Sequence, residues 1–171
     1  MPGLASLPSG ATVFIDTIIF DLHYRQKSVQ CERFFMRIAE GDVVGYVNTL
    51  VLTDLMHKLM LADAFKQGII TDRQAWRLRA AFNGNTGLAA RLVECHQQFT
   101  ETLSIGLNVR QVSKGVLVKS QAHRQGQALL TGDSVHLETM LRLGVADLVT
   151  CDSDFNRVVG VNVWSPSDVN P

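Results

Sequence analysis

The sequence has 171 residues, of which 46% are hydrophobic, and its 16 basic and 16 acidic residues cancel. This length suits one domain with a buried core, and the composition excludes a disordered chain. The balanced charge argues against a general nucleic-acid-binding protein, and three widely spaced cysteines argue against a disulfide framework or a zinc site. No apolar stretch approaches the roughly 20 residues of a membrane span, so we expect a soluble, cytoplasmic protein that does not bind a membrane.

Strand-like and helix-like segments alternate along the chain. Strands are predicted at Thr12–Ile15, Val43–Val47, Ser104–Val112, Asp147–Thr150 and Val161–Trp164. Helices are predicted at Val29–Glu40, at Leu50–Ala64 with Asn48 or Thr49 as its cap, and from a capping box at Thr71–Gln74 to Phe82. Further helices are predicted at Leu88–Thr102, from a cap at Ser113 to about Gly126, and at Thr131–Leu143 before Gly144. Such alternation implies right-handed crossovers between parallel strands. We therefore predict a three-layer α/β/α fold with a mostly parallel central sheet of four or five strands.

The two ends of the chain differ from this alternating region. Residues 1–11 include Pro2, Pro8 and Gly10, which predicts a flexible lead-in. Residues 12–165 are then expected to form a single domain, and residues 166–171 a C-terminal tail.

Acidic residues follow the predicted strands. The apolar run that ends at Ile15 is closed by Asp16, and the late strand ending at Thr150 is followed by Asp152 and Asp154, while Asp133 stands at the start of a helix. The carboxyl ends of strands and the helix starts beside them line a shared crevice in an open α/β sheet. Converging carboxylates repel one another unless a cation neutralises them, and Mg²⁺ or Mn²⁺ takes oxygen ligands. The pattern indicates metal-assisted chemistry on a phosphate ester.

Each of these acids also has a structural interpretation. Asp16 can serve as a helix N-cap, and a negative charge at Asp133 suits the helix dipole. Asp54 shares a helical face with apolar residues, where an unpaired buried carboxylate is costly, so it needs either a role in the site or a salt bridge to Lys58.

The helix of Asp133 has two distinct faces. His136 lies one turn after Asp133 on the core side, where a hydrogen-bonded core histidine is the simpler interpretation. Glu138 and Arg142 are spaced as an exposed i,i+4 pair, so we predict that Glu138 lies at the surface.

Three stretches of the chain resemble the PIN-domain family of metal-dependent ribonucleases, many of which are toxins of bacterial toxin–antitoxin pairs. They are Val13-Phe14-Ile15-Asp16-Thr17, Thr49-Leu50-Val51-Leu52-Thr53-Asp54-Leu55, and the block from Thr131-Gly132-Asp133-Ser134 through Leu148-Val149-Thr150-Cys151-Asp152-Ser153-Asp154-Phe155. The resemblance covers nearly the whole chain in order, and its last block is specific by itself.

The resemblance implies a function and a set of site residues. The catalytic acids would be Asp16, Asp54, Asp133 and Asp152, with Asp16 and Asp133 as direct ligands of Mg²⁺ or Mn²⁺ and with Asp154 and Thr150 as accessory residues. The implied activity is cleavage of single-stranded RNA, and the implied partners are an antitoxin and a second copy of the chain in a homodimer. The family usually has Glu where this chain has Asp54, which shortens that side chain by one methylene.

The neutral total charge hides a segregation of charge along the chain. Between Arg73 and Arg124 there are eight basic residues against Glu94 and Glu101. A basic segment beside an acidic centre suits the backbone of a polyanionic strand, and we assign RNA binding to Arg110, Lys114 and Lys119. For Arg73, Arg77 and Arg79, a solvated helix surface explains the charges equally well.

Two other classes of function remain open. A receiver-like signalling domain also gathers acids at strand ends, but the expected phospho-accepting Asp after the middle strand and the Lys after a later strand are missing. A PIN-like domain with weak catalysis could instead bind RNA or a protein without cutting. A nuclease assay with and without manganese distinguishes this module from a ribonuclease.

Overall fold

The computed structural model describes residues 2–169. They fall into two compact units: unit 1 comprises residues 2–52 and 105–169, and unit 2 comprises Thr53–Ser104. The strands are β1 (Thr12–Ile15), β2 (Val44–Asn48), β3 (Asn108–Arg110), β4 (Asp147–Val149) and β5 (Asn162–Trp164). The α-helices are α1 (Thr17–Tyr24), α2 (Val29–Ala39), α3 (Thr49–Lys66), α4 (Ala75–Gly84), α5 (Val93–Ser104), α6 (Lys114–Gln127) and α7 (Thr131–Leu143).

The strands of unit 1 form one parallel sheet in the order β3-β2-β1-β4-β5. The central strand β1 is buried through Val13, Phe14 and Ile15, as expected for a strand with helices over both faces. This confirms the predicted α/β class with a five-stranded parallel sheet. The order excludes the receiver-like alternative, whose flavodoxin-like sheet runs β2-β1-β3-β4-β5.

Alternate residues of β1 face opposite helices. Phe14 contacts the ring of His136 on α7, with ring centroids 5.6 Å apart. On the other face, a side chain at Gly45 of β2 would lie 2.9 Å from Ile15 and 3.1 Å from Ile38 of α2. Gly45 therefore allows α2 to pack closely on the sheet, and unit 1 has helices on both faces of its sheet.

Several helix ends follow the capping residues predicted from the sequence. Asn48 Oδ1 accepts a hydrogen bond from the Val51 amide at the start of α3, and Ser113 Oγ accepts one from the Val116 amide in α6. Gly144 adopts a left-handed conformation with φ of 67° and ends α7. The predicted limits of α7 are confirmed.

The helices of unit 2 begin differently from the prediction. The capping box at Thr71–Gln74 is wrong: Asp72 instead accepts a hydrogen bond from the Gln74 amide and pairs with Arg77, and α4 begins at Ala75. Residues predicted as one helix from Leu88 to Thr102 form a 3-10 helix, Thr86–Arg91, followed by α5. The buried carboxylate of Asp63 caps this later start by accepting a hydrogen bond from the Cys95 amide.

Two segments of unit 1 also differ from the sequence-based expectation. The third strand is limited to Asn108–Arg110, because α5 extends to Ser104 and only these three residues pair with β2. Helix α1 directly follows Asp16, in a stretch where the sequence indicates a helix only through the possible N-cap at Asp16.

Both ends of the described chain pack against the rest of unit 1. In the segment expected to be a flexible lead-in, Leu4 and Leu7 are buried and the Leu4 amide donates to the Ser165 carbonyl. In the expected tail, the Asp168 carboxylate accepts hydrogen bonds from the Ser28 hydroxyl and the Gln30 amide at the start of α2. Residues 1, 170 and 171 lie outside the described part, and the boundaries of a single domain at residues 12–165 stay a prediction.

Candidate active site

Polar side chains form a row across the carboxyl edge of the sheet. Asn48 is paired in register with Arg110 at the ends of β2 and β3. Phe14 pairs with Tyr46, and Ile15 with Val149. Counting on from these pairs, Asp16 stands opposite Asn48 on one side and Thr150 on the other. The edge predicted from the sequence therefore carries the first acid at its centre.

Asp16 occupies the N-cap position of α1 without capping it. Its side chain makes no cap hydrogen bond within the helix. Instead, Asp16 Oδ2 accepts a hydrogen bond from the Thr150 hydroxyl at 2.5 Å, and the Asp16 amide donates to the Val149 carbonyl at 3.0 Å. The carboxylate is thus held towards β4 and does not cap α1, and a role for Asp16 in the site stays a prediction.

Thr150 connects two of the acids. While its hydroxyl donates to Asp16, the same oxygen accepts a hydrogen bond from the Asp152 amide at 3.0 Å. Asp152 Oδ1 in turn accepts from the Asp154 amide at 2.8 Å and caps the 3-10 helix Ser153–Arg157. The fully buried Thr150 therefore fixes the loop that carries Asp152 against the end of β1.

Asp133 lies in the first turn of α7 and is the fourth acid to be considered with Asp16, Asp152 and Asp154. Burial raises the pKa of its carboxyl, and the negative charges of Asp152 and Asp16 raise it further, followed by that of Asp154. Asp152, Asp16 and Asp154 therefore each lie within electrostatic range of Asp133. The structure thus brings Asp16, Asp133, Asp152 and Asp154 together, and we call these four residues the acidic cluster.

Asp54 differs from the other predicted site residues. It belongs to unit 2, and its side chain is exposed. Water therefore solvates this carboxylate, and the prediction that it is buried and needs a partner is wrong. A catalytic role for Asp54 stays a prediction.

The donor set of the acidic cluster suits a hard cation. All four side chains offer oxygen, which Mg²⁺ and Mn²⁺ prefer, and the pKa of Asp133 is raised by burial and then by the negative charges of Asp152 and Asp16. Within residues 2–169, no group of three or more His, Cys, Asp or Glu side chains is arranged to hold a metal ion. Mg²⁺ is commonly held by one or two carboxylates with water and substrate phosphate completing its shell, so Asp16 and Asp133 could hold one without a closed protein cage.

A buried hydrogen-bond network supports α7 beneath the cluster. Asn48 Nδ2 donates to His136 Nδ1 at 3.1 Å and to the Thr139 hydroxyl at 3.2 Å, and all three residues are buried. His136 is therefore a hydrogen-bonded core histidine. The sequence showed Asn48 only as a helix cap, because its second role depends on partners about ninety positions later in the chain.

Glu138 lies in a different place from the one predicted. Its pair with Arg142 exists, at 2.7 Å, but Glu138 is buried and also contacts His123 Nε2 at 3.0 Å. Burial alone would raise the pKa of Glu138, yet the hydrogen bonds from Arg142 and His123 outweigh it and hold the pKa below its usual range. The prediction of a surface residue is wrong because α6 covers this side of α7.

The predicted RNA-binding residues belong to neighbouring elements of unit 1. Arg110 ends the edge strand β3, and its guanidinium lies 5.2 Å from the centroid of the Tyr46 ring. Lys114 is the first residue of α6, and Lys119 is exposed on the same helix. Arg77 of unit 2 is instead paired with Asp72 and lies over the Trp76 ring, which favours a structural explanation of that charge.

Comparison with known proteins identifies the fold. No protein-family model and no curated protein sequence matches the chain. Similar solved structures include a VapBC2 complex of Rickettsia felis bound to a promoter DNA fragment, with TM-score 0.58, 11% identity and coverage of 90% of this chain and 98% of that chain. A toxin–antitoxin complex from Klebsiella pneumoniae gives TM-score 0.54 and 16% identity over 88% of this chain and 95% of that one. Mycobacterium tuberculosis VapC20, a sarcin–ricin loop cleaving toxin, gives 0.53 and 12% over 93% and 99%.

These neighbours are PIN-domain toxins or their complexes, and each is matched over nearly its whole length. At such low identities the likeness establishes the fold alone. No helix within residues 2–169 has both the length and the apolar character needed to cross a membrane. The chain therefore has the PIN-like fold that its sequence resembles.

Proposed function

We propose that this protein is a ribonuclease that depends on Mg²⁺ or Mn²⁺ and cuts single-stranded RNA. The observation that carries the proposal is the acidic cluster at the carboxyl edge of a PIN-like sheet, where burial and, after it, the charges of neighbouring acids raise the pKa of Asp133. An excess of carboxylates at a ligand-binding edge is typical of sites that bind a divalent cation.

Each side chain of the cluster has a separate task in this proposal. Asp16 and Asp133 hold the cation, which would activate a water molecule and stabilise charge on the phosphate. Thr150 keeps the Asp16 carboxylate turned towards β4 through its 2.5 Å hydrogen bond. The Asp152 amide donates to the same hydroxyl. The Asp152 side chain then offers a further carboxylate that interacts with the water or phosphate bound to the cation. The acids themselves do not attack the phosphate.

The row at the sheet edge suggests a path for the RNA. Arg110 stands two strands away from Asp16 in register, a separation of roughly 10 Å at the usual strand spacing. Its guanidinium rests on Tyr46, so this positive charge is held near the edge rather than free in solvent. An RNA strand that crosses this edge of the sheet would bind the cation through one phosphate and Arg110 through a neighbouring phosphate. Lys114 and Lys119 would add positive charge along α6.

We further propose that the protein is the toxin of a toxin–antitoxin pair in the cytoplasm. Two of the similar structures are described as complexes of this kind, and a third as a toxin that cleaves the sarcin–ricin loop. About nine-tenths of the chain matches those proteins, which supports the same type of partner. Co-expression with the product of a small neighbouring gene tests this assignment.

A cleavage assay tests the proposed activity directly. Purified protein is incubated with a labelled single-stranded RNA, and with the same RNA annealed to its complement, in manganese or in a chelator. We expect cutting of the single strand in manganese and none in the chelator, with the duplex protected because its phosphates are shielded. Cutting that persists in the chelator would contradict a role for the cation.

Two observations favour a second candidate, a PIN-like module that binds RNA or a protein without cutting. The described residues contain no ready-made group of three metal-binding side chains, and Asp154 is engaged by Arg157 at 2.7 Å. Tight RNA binding without cleavage in manganese would favour this module over the ribonuclease.

A further inference from the structure

Arg157 makes three hydrogen bonds with one guanidinium group. Its Nη1 donates to Asp154 Oδ1 at 2.7 Å, its Nε to the Gln127 carbonyl at 3.0 Å, and its Nη2 to the Ala128 carbonyl at 2.9 Å. The planar fork of Arg can satisfy three acceptors in fixed directions, which the single ammonium of Lys cannot. The geometry of these bonds is therefore specific to Arg.

The three acceptors belong to two segments that both carry acids of the cluster. Asp154 lies in the 3-10 helix that Asp152 caps. Gln127 and Ala128 end α6, a few residues before Asp133 in the first turn of α7. Arg157 thus ties the segment that presents Asp152 to the segment that presents Asp133.

The second of these segments needs such an anchor. Ala128 has a φ of 52°, a left-handed conformation that is costly for a residue with a side chain. Two of the three bonds from Arg157 end at or next to this residue. The hydrogen bonds from Arg157 therefore hold the connection between α6 and α7 in this conformation. They thereby also hold the position of Asp133.

We propose that Arg157 is a positioning residue that sets the distance between Asp133 and Asp152 and withdraws Asp154 from the metal ligands. This inference rests on the proposed function, because it assigns Arg157 a role in how the acidic cluster receives a divalent cation. Asp154 is then an anchor for Arg157, which differs from its expected place as an accessory acid of the site.

Charge and geometry make opposite predictions for this residue. If Arg157 acted only through its positive charge, its removal would strengthen the binding of a divalent cation to the acids. If it acts by position, removal weakens binding although the local charge becomes more negative. The direction of the change in metal affinity therefore separates the two explanations.

The experiment measures Mn²⁺ binding by calorimetry for the wild type, Arg157→Gln, Arg157→Lys and Asp154→Asn. Both Arg157 variants are expected to lose roughly tenfold in affinity, as is usual when a supporting partner of a metal ligand is removed. Asp154→Asn removes one acceptor of Arg157 and one negative charge of the acidic cluster, and should lose less affinity than Arg157→Gln, because Arg157 keeps its two carbonyl partners. Arg25→Gln, which removes a similarly exposed Arg from its pair with Asp21, serves as the control and should bind like the wild type.

Four results would overturn the proposal: tighter Mn²⁺ binding by Arg157→Gln, wild-type binding by Arg157→Lys, a loss in Asp154→Asn as large as in Arg157→Gln, or an equal loss in the Arg25 control. RNA affinity in a chelator is measured alongside. We expect it to be unchanged in the Arg157 variants, whereas general loss of structure would lower RNA affinity as well and would contradict a positioning role.

Hydrogen exchange without metal separates this proposal from the proposed function. In Arg157→Lys, amides of residues 128–133 and of residues 150–156 should exchange faster together, because the tie between the segments is broken. Faster exchange in only one segment would overturn the coupling. A wild type that binds no Mn²⁺ would contradict the proposed function and this proposal together, whereas wild-type binding with an unaffected Arg157→Lys variant contradicts this proposal alone.

Discussion

At the scale of single residues, Thr150 positions two of the acids of the candidate site. Its hydroxyl donates to Asp16 and accepts from the Asp152 amide, so one oxygen fixes two of the four acids. It is fully buried, so water cannot replace either hydrogen bond without a change in packing. The sequence signals this role through a polar side chain at the end of an apolar strand and through the family resemblance, which implies Thr150 as an accessory residue.

Thr150→Val is therefore expected to destabilise the metal-free protein by about 1–3 kcal/mol, the usual cost of leaving buried partners unsatisfied. Val has nearly the shape of Thr, so the change removes the hydroxyl and little else. The matched control is Thr150→Ser, which keeps the hydroxyl and should retain most of both hydrogen bonds. Urea unfolding measures both variants, and equal stability of the two would show that the hydroxyl has no such role.

Three acids of the site could be placed from the sequence by one topological rule. Asp16, Asp152 and Asp133 follow parallel strands or begin a helix, and the carboxyl ends of such strands meet at one edge. The role of Arg157 could not be found in this way, because its acceptors at Gln127 and Ala128 are thirty and twenty-nine positions away. Spacing in the sequence does not show which side chains approach over such separations.

At the scale of elements, the predictable helix ends are those capped by their own neighbours. Asn48, Ser113 and Gly144 act within four positions of the residues they cap, and all three were predicted. The start of α5 was not predicted, because its cap is Asp63 on α3, more than thirty positions earlier. Burial of Glu138 was missed for a related reason: the partner that covers it, His123, lies on another helix.

The tie between α6 and α7 through Glu138 gives a pH dependence of stability. Since the folded pKa of Glu138 is held below its usual range, its contribution to stability is present above the unfolded pKa and is lost as the pH falls through the folded pKa. Glu138→Gln should be less stable than the wild type by about 1–3 kcal/mol near neutral pH, the usual range for hydrogen bonds to charged groups.

The difference between the two proteins should then shrink towards zero in acid. Urea unfolding at a series of pH values measures it. Glu101→Gln, an exposed carboxylate on α5, is the control and should differ little from the wild type at any pH. A difference for Glu138→Gln that stays constant down to acid pH would contradict the assignment.

At the scale of the whole molecule, balanced total charge conceals basic residues gathered on β3 and α6 of unit 1. Reversal of charge at Arg110 and Lys114, by change to Glu, should weaken RNA binding and lower the slope of its salt dependence. The slope should fall by about 0.7 for each phosphate that the variant no longer neutralises. Affinity for manganese should be largely unchanged, because neither side chain belongs to the acidic cluster. Arg33→Glu is the control, since it changes an exposed Arg on α2, outside β3 and α6.

Fluorescence anisotropy with single-stranded RNA in a chelator, over a range of salt concentrations, checks this prediction. An equal effect of Arg33→Glu would show that only total charge matters. Reduced manganese affinity in the Arg110 and Lys114 variant would mean that the two groups of residues do not act separately.

We also expect the protein to form a homodimer. Several large apolar side chains of unit 2 are exposed, among them Trp76 at 61%, and a second copy could cover them. Light scattering at tens of micromolar (~10⁻⁵ M) should show a dimer, because an interface of standard size is saturated at this protein concentration. Trp76→Glu should shift the protein towards the monomer, while Val159→Glu in unit 1, at a side chain that is even more exposed, should not; a monomeric wild type would contradict the expectation.

The central claim is that the acidic cluster is the place where RNA is cut, and Asp152→Asn tests it most directly. This change removes a charge and keeps the volume, so the fold should persist, with a melting temperature close to that of the wild type. Glu40→Gln removes an exposed carboxylate at the end of α2 in the same isosteric way. The measurement is the single-turnover rate of cleavage of single-stranded RNA in manganese, for all three proteins. We predict a loss between about 10- and 100-fold for Asp152→Asn and none for Glu40→Gln, whereas cleavage by Asp152→Asn at the wild-type rate would place the active site elsewhere.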